Sequence, residues 1–244
     1  MIAADAPALV LPPPFRAVTL RGREDAHARA CALAEAGPEA GTLVVGAREA
    51  VVDLAVVLCP GEPLRVARLA GLVGLAALAE AVGSLAPPDK PVTLDWPDTL
   101  RFDRARLGGG RLACPPACGE DAVPAWLVFS AMLIASKREA GDPGLTPDST
   151  SLEEEGFPAR SREPLVESFA RHLMKGLEVW AEDGVPAAAA RILPYLPRER
   201  PSVRWRIAPD GAACREEPGR ETLRLPFRPD GAAWLDPARG GPRL

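Results

Sequence analysis

The chain contains one long apolar run, at residues 66–86, which consists almost entirely of Ala, Leu, Val and Gly. A run of this length could cross a membrane as a helix. However, it contains Arg68 and Glu80, and a charge at the bilayer centre costs about 3 kcal/mol on insertion scales. A helix that is covered on most sides by a globular domain carries no such cost. We therefore predict a buried helix over residues 64–84 and no association with a membrane.

A buried helix needs other elements to cover it, and the rest of the chain supplies both strands and helices. Apolar runs bounded by turn residues predict strands, whereas the four-residue spacing of Leu165, Phe169 and Leu173 predicts an amphipathic helix. The predicted strands are residues 42–45, 51–58, 92–96, 100–102, 112–114 and 126–136, and the other predicted helices are residues 25–36, 163–182 and 187–195. Strands and helices do not alternate strictly. We therefore expect a mixed α/β (α+β) fold, with a largely antiparallel sheet and flanking helices.

The chain divides into three predicted parts. Residues 1–14 have no basic start, and three prolines end their apolar run, so we interpret them as a leader and not as a signal peptide. Residues 15–197 contain all the elements above and form the main domain. Residues 198–244 are rich in Pro, Gly and Arg, with strand-like runs at 203–207 and 222–227. They predict a small C-terminal β domain of unknown role.

Composition and charge exclude some classes of function. Hydrophobic residues make up 47% of the chain and charged residues 25%, which is the balance of an ordinary globular protein. The net charge is −4, Lys and Arg form no block, and one Tyr is present, so nucleic-acid binding has no support. The five cysteines are odd in number and follow no secretory signal. We therefore expect a reduced, cytoplasmic protein.

Four segments, in this order, carry a resemblance to the catalytic domain of biotin/lipoate–protein ligases. They are Asp95-Trp96-Pro97-Asp98-Thr99-Leu100, Ala105-Arg106-Leu107-Gly108-Gly109, Trp126-Leu127-Val128-Phe129-Ser130-Ala131-Met132-Leu133 and Ser149-Thr150-Ser151-Leu152-Glu153-Glu154-Glu155. Each segment is short, but their order and the elements between them match across residues 15–197, about three quarters of the chain. The chain thus resembles a divergent member of that family, which implies a fold like that of class II synthetases.

The resemblance also implies a reaction and a site. These ligases join biotin or lipoate to ATP with Mg²⁺ as an acyl-adenylate, and then transfer the acyl group to a lysine of a biotinyl or lipoyl carrier domain. A site of this kind needs cations and backbone N–H groups, because negative charge accumulates on the α-phosphate. Matched position by position, Arg106 is implied as the catalytic residue. The residues implied to bind substrate or nucleotide are Trp96, Asp98, Gly108, Gly109 and Arg111.

The chain departs from the family where the adenylate would be held. In place of the family's Gly/Arg-rich loop it has only residues 46–50, in which Arg48 is followed by Glu49. We expect this segment to be too short to fold over a nucleotide, and the charge of Arg48 to be offset by Glu49.

Further positions differ from the family's motifs, and the family's Asn and Asp are Asp98 and Thr99 here. Asp95 stands where the family has a lysine, and it would repel both anionic substrates. Arg106 stands where the family has a second lysine, so the charge becomes a planar fork. The family's Gly-Ile-Asn strand reads Met132-Leu133-Ile134. Two functions therefore remain open: a ligase with weakened adenylation, or a non-catalytic protein that kept the fold and the acyl pocket and binds a carboxylic acid or a protein partner.

Other groups of residues have both a functional and a structural interpretation. Residues 108–110 are glycines flanked by Arg106 and Arg111, and they predict either an anion site built from backbone N–H groups or a hairpin turn with solvated arginines. We weigh the two equally. The run Glu153, Glu154 and Glu155 is either the rim of an acyl pocket or a solvated charge run, and we favour the second.

A zinc site at Cys114 and Cys118 has little support, because zinc would need two further ligands. The chain has two histidines, His27 and His172, and we read neither as neighbouring a cysteine at ligand-like spacing. We therefore interpret the two cysteines as ordinary thiols.

Overall fold

The computed structural model describes residues 9–141, 143–198, 200–228 and 232–244. Its centre is a seven-stranded sheet in the order β1-β2-β3-β7-β6-β5-β4. The strands are β1 Arg16–Thr19, β2 Thr42–Val45, β3 Val51–Leu58, β4 Val92–Asp95, β5 Thr99–Phe102, β6 Ala105–Ala113 and β7 Leu127–Ile134. β1 pairs with β2 in parallel, and all other neighbouring pairs in this sheet are antiparallel. The predicted fold class is confirmed.

In the described ranges, five α-helices flank the sheet. They are α1 Ala26–Ala36, α2 Leu64–Ala67, α3 Ala70–Leu85, α4 Arg162–Asp183 and α5 Val185–Ala190, with 3-10 turns at Arg138–Ala140, Pro143–Leu145 and Leu193–Tyr195. The helix predicted as one piece at 64–84 is interrupted, because the amides of Leu69, Gly71 and Leu72 bond three residues back rather than four. Within the described part of the chain, Leu64–Leu85 is the one stretch long and apolar enough to cross a membrane. Most of it is buried inside the fold, with 78% of its most apolar window covered.

The two faces of the sheet are covered differently. On the helical face, Leu54, Val56 and Phe129 belong to a large core with α3 and α4. On the opposite face, which we call the α1 face, alternate residues such as Ala55 and Val57 pack against α1. α1 lies against β2, β3 and β7. It therefore leaves β6 and part of β7 to be covered by something else.

The end of the chain supplies that cover. A three-stranded sheet contains β8 Arg204–Ile207, β9 Ala213–Glu216 and β10 Leu223–Leu225. The last strands, β11 Leu235–Asp236 and β12 Gly241–Pro242, pair with each other, and β12 lies against β6 and β7. We call residues 232–244 the C-terminal hairpin.

Of the two interpretations of residues 108–110, the hairpin turn is wrong. Residues 108–110 lie inside β6, and the reversal occurs at Asp103 and Arg104, which have φ of 45° and 72°. The glycines are needed where other groups approach closely, because a Cβ added at Gly110 would lie 2.7 Å from Cζ of Phe129. Gly108, the first of the three, has a φ of 155° and lies next to the register shift in the pairing of β5 with β6.

The described part of the N-terminal segment is packed. Leu9 and Leu11 lie against the main core, and the Val10 amide donates to Glu167. The rest of the predicted leader, residues 1–8, lies outside the described residues.

Candidate functional site

The structure brings most of the implied site residues to the α1 face, near β6. Gly109 and Arg111, two residues apart on β6, face that side, and Arg106 reaches it from before the register shift in the β5–β6 pairing. Asp98 lies in the adjoining β4–β5 turn. Gly108 faces differently, since a Cβ added there would lie 2.0 Å from the carbonyl oxygen of Met132.

Trp96 lies at the edge of this group, against the C-terminal region. Its indole N–H donates to the Pro226 carbonyl, and its ring packs on Phe227 at a centroid distance of 5.7 Å. Trp96 therefore clamps the chain that leads to the C-terminal hairpin. Asp95, which was expected to repel anions, is paired with Arg101.

The indole of Trp234 fills the space above the glycines of β6. The side chain is 1% exposed, and a Cβ added at Gly109 would lie 2.3 Å from its Cδ1 atom. Its Nε1–H donates to the Gly110 carbonyl at 3.3 Å. The missing side chain of Gly109 thus creates a flat slot, and the chain's own tryptophan occupies it.

The Asp98 carboxylate is also used by the C-terminal hairpin. Oδ2 accepts from the Ala233 amide at 2.9 Å, and Oδ1 accepts from the Thr99 hydroxyl at 2.7 Å. Asp98 is 3% exposed. Both oxygens have partners within the protein, so the buried carboxylate is satisfied without a ligand.

Arg106 reaches the same hairpin from the other side. Its Nη1 donates to the Arg243 carbonyl at 3.1 Å. Its backbone is bonded on both sides to the segment 148–150, through the Asp148 carbonyl and the Thr150 amide, each at 2.9 Å. The implied catalytic cation is therefore fixed in position, and its side chain bonds to a neutral carbonyl.

The β2–β3 turn brings a further arginine to the α1 face. Arg48 Nη2 bonds to Asp53 Oδ2 at 3.0 Å, and Nη1 donates to the Gly240 carbonyl at 2.7 Å. The sequence suggested Glu49 as the partner of Arg48. The structure shows that the partner is Asp53. The turn is held from behind by Arg162, which donates to the carbonyls of Gly46 at 2.8 Å, Arg48 and Val51 at 3.1 Å.

Asp53 was missed in the sequence, although it is a single acid inside the apolar run 51–58. It is 1% exposed, and burial raises the pKa of its carboxyl, an effect reduced by the Ala26 amide and by Arg48. Asp53 Oδ1 and Arg48 Nε are both buried and have no hydrogen-bond partner among the described residues. The Asp53 side chain extends from β3 to the first turn of α1, where Oδ2 accepts from the Ala26 amide at 3.2 Å.

His27 joins α1 to the sheet. Its Nδ1 lies 2.8 Å from Ser130 Oγ, and its Nε2 lies 3.8 Å from Cys31 Sγ, one helical turn away. The interpretation that neither histidine neighbours a cysteine at ligand-like spacing is wrong for His27, because residues four apart meet on a helix. Burial first, and then Arg111, lower the pKa of His27 to about 4. The ring is neutral at pH 7.

No metal site is formed within the described ranges, since no three His, Cys, Asp or Glu side chains are close enough to hold an ion. All five cysteines are free thiols. The acidic run is paired: Glu153 bonds to Ser136 and Arg138, Glu154 to Ser151 and Lys137, and Glu155 to Lys90 and Thr150.

A cavity of about 730 Å³ lies on the other side of the β2–β3 turn. Its wall includes Val45, Val52, Leu152, Phe157 and Val166, all of which belong to the core of the helical face. The charged side chains around it are Glu49, Arg138, Glu139, Glu153, Arg160, Arg162 and Glu163. The cavity is therefore separate from the slot under the C-terminal hairpin.

Known families and folds agree with this arrangement. The model of the biotin/lipoate A/B protein ligase family matches residues 11–193. The chain belongs to this family. A search of curated proteins found no match.

Solved structures extend the match over almost the whole chain. A biotin protein ligase-like protein of unknown function from Silicibacter sp. TM1040 is 28% identical with a TM-score of 0.75, and the match covers 90% of this chain and 97% of that one. The biotin protein ligase of Aquifex aeolicus in complex with biotin and ATP is 14% identical with a TM-score of 0.63, over 88% of this chain and 96% of that one. A mutant of the same ligase in complex with biotin is 15% identical with a TM-score of 0.65, over 87% and 96%.

The residues present do not accommodate ATP and Mg²⁺, the two groups that the family implies for this site. ATP does not fit on the α1 face as the chain is folded here, because Trp234 fills the slot over Gly109 and the C-terminal hairpin bonds to Arg106 and Asp98. The described residues contain no cluster of carboxylates that could hold Mg²⁺. No reaction step through either group follows from this conformation.

Proposed function

We propose that this chain is a non-catalytic member of the biotin/lipoate ligase family that binds a small carboxylic acid. The observation that carries the proposal is the placement of the C-terminal hairpin. The side chains implied to hold an adenylate already bond to it: Asp98 to Ala233, and Arg106 to Arg243. The short turn at residues 46–50 supports the same conclusion, because Arg48 is held by Asp53 and Gly240.

The ligand site of this proposal is the cavity beside the β2–β3 turn. Its volume of about 730 Å³ lies within the usual range for small-molecule sites. The apolar wall formed by Val45, Val52 and Val166 suits the body of an acyl ligand. Among the arginines at the cavity, Arg138 is paired with Glu153, whereas Arg160 has no partner within the described part of the chain. Arg160 is the cation that a ligand carboxylate would meet.

The test is calorimetric titration of the protein with biotin, lipoate and octanoate. We expect at least one of them to bind, with affinity reduced about tenfold by Arg160→Ala, the effect of losing one charged hydrogen bond. Ala135→Trp fills the cavity from its half-buried wall and should abolish binding. Arg171→Ala is the matched control, since Arg171 lies exposed on α4 outside the cavity. A folded wild-type protein that binds none of the three acids would overturn the proposal.

A second candidate is an ATP-dependent biotin or lipoate–protein ligase. It is favoured by the grouping of Arg106, Asp98 and Gly109 on one face, in the order of the family's motifs. Pyrophosphate exchange with Mg·ATP and each of the three acids tests it. Exchange that Arg106→Ala abolishes would replace the first proposal and imply a biotinyl or lipoyl carrier domain as partner. No exchange from a folded sample would remove the second candidate.

A further inference from the structure

The C-terminal hairpin contacts the implied site at four separate points. Trp234 lies over Gly109, the Ala233 amide bonds to Asp98, the Arg243 carbonyl to Arg106, and the Gly240 carbonyl to Arg48. Thus a ring, a hydrogen-bond donor and two acceptors each meet a different part of one surface. The hairpin occupies this surface in the way that a bound ligand would.

The electrostatic match between the hairpin and this surface is incomplete. Arg106 donates to a neutral backbone carbonyl of the hairpin, and Arg48 divides its terminal nitrogens between another such carbonyl and the Asp53 carboxylate. The Arg111 side chain makes no hydrogen bond or ion pair with any described residue. Arg48 Nε is buried without a partner in the described ranges. A charge-assisted bond is roughly twice as strong as a neutral one, so an anion would be a better partner for these arginines than the carbonyls are.

The attachment of the hairpin is also limited. β11 and β12 pair through two residue pairs, Leu235 with Pro242 and Asp236 with Gly241. Trp234 is its one large buried side chain among the described residues. A short element with a single apolar anchor opens more readily than the strands beneath it.

We propose that the C-terminal hairpin is a displaceable cap, and that an anionic ligand with a flat ring, a class that includes nucleotides, competes with it for the α1 face. The ring takes the place of the Trp234 indole over Gly109, and the anion binds to Arg106 and Arg111, neither of which is paired with a carboxylate among the described residues. This proposal does not depend on the cavity beside the β2–β3 turn, because the two sites lie on opposite sides of that turn.

The first experiment measures binding of a fluorescent ATP analogue with Mg²⁺ by polarisation. We expect weak binding to the wild type and at least tenfold tighter binding to Trp234→Ala, because the competing indole is gone. Trp205→Ala is the matched control: its Nε1–H donates to the Pro197 carbonyl, away from the α1 face. Arg106→Ala in the Trp234→Ala background should remove the gain. A folded Trp234→Ala protein with unchanged affinity overturns the proposal.

The second experiment uses the wild type alone, so it does not depend on how a variant folds. Hydrogen exchange is followed at the Leu235 and Arg243 amides, which bond to Ala232 and Trp234 within the hairpin, and at the amides of β7. We expect the hairpin amides to exchange faster than those of β7, and millimolar Mg·ATP to speed them further. Exchange of both groups through one common opening, unaffected by nucleotide, overturns the proposal. Either result leaves acid binding in the cavity as a separate question.

Discussion

The two faces of the central sheet are shielded from solvent by different kinds of contact. The helical face is closed by α3 and α4 through apolar contacts such as Phe129 stacked on Phe169 at 5.8 Å. The α1 face buries charges, among them Asp53 and Asp98, and over β6 it is closed by a hairpin of residues 232–244. Apolar packing has no polar partner to lose, whereas a buried carboxylate must keep one. The comparison assigns most of the apolar packing to the helical face and the buried carboxylates to the α1 face.

The largest expected difference between the faces is in the free energy of unfolding. Phe129→Ala, in the helical face, should lower it by about 3–5 kcal/mol, because it leaves a cavity in a closed core. Trp234→Ala removes a larger buried side chain and yet should lower it by less than about 2 kcal/mol, because the hairpin detaches locally. Urea unfolding checks both. Equal losses would break the comparison and make the hairpin part of the main core.

A second prediction concerns the turn that separates the two sites. Arg162→Met removes donors from the carbonyls of Gly46, Arg48 and Val51, and it should lower the free energy of unfolding by about 2 kcal/mol. Arg160→Met, two residues earlier and exposed, is the matched control and should change it by less than about 0.5 kcal/mol. If the two variants unfold at the same urea concentration, the turn does not depend on Arg162.

The third prediction is a pH dependence on the α1 face. The pKa of His27 falls from 6.5 to about 4 in the folded protein, so the unfolded chain binds a proton more readily between these values. Stability is therefore fully present above pH 6.5 and is lost as the pH falls toward 4.

The shift in the pKa of His27 corresponds to about 3 kcal/mol, which we reduce to about 2 kcal/mol because the ring is partly exposed. His27→Gln should remove that loss between pH 6.5 and pH 4, measured by urea unfolding. His172→Gln on α4 is the control for replacing a histidine elsewhere. A wild-type profile retained in His27→Gln would contradict the assignment.

The smallest expected effect has the opposite direction. Burial raises the pKa of Asp53 above 3.8, so the folded state holds this proton more tightly than the unfolded state. The contribution of Asp53 is present below pH 3.8 and is lost as the pH rises through the folded value. The stability of Asp53→Asn relative to wild type should therefore increase over this rise. A constant difference from pH 3.8 upward would mean that the Ala26 amide and Arg48 fully compensate for burial.

The sequence predicted the elements of the helical face well, because their signals are local. β2 and β3 match their predicted bounds, 42–45 and 51–58, since each is an apolar run between turn residues. One of the two equally weighed interpretations of residues 108–110 was a hairpin turn, because Gly is a turn residue. Their actual reason is close approach, by the Met132 carbonyl at Gly108, by Trp234 at Gly109 and by Phe129 at Gly110. These partners lie far away in sequence.

The α1 face was harder to predict for the same physical reason. Ser130 meets His27 across 103 positions, and Ala233 meets Asp98 across 135. The resemblance placed Arg106, Asp98 and Gly109 together, but no periodicity in residues 232–244 indicated what would cover them. The isolated Asp53 in an apolar strand was the one local signal of a buried charge.

The hairpin and the surface beneath it belong to one chain, and this has a consequence for how ligands are sought. A tethered competitor acts at a fixed effective concentration, commonly in the millimolar range for a short connection, whatever the protein concentration in the assay. The apparent dissociation constant of a free ligand is its intrinsic value divided by the fraction of molecules that are open. If the hairpin competes as proposed, a screen below that apparent value would record an empty protein even though the uncapped surface bound its ligand tightly.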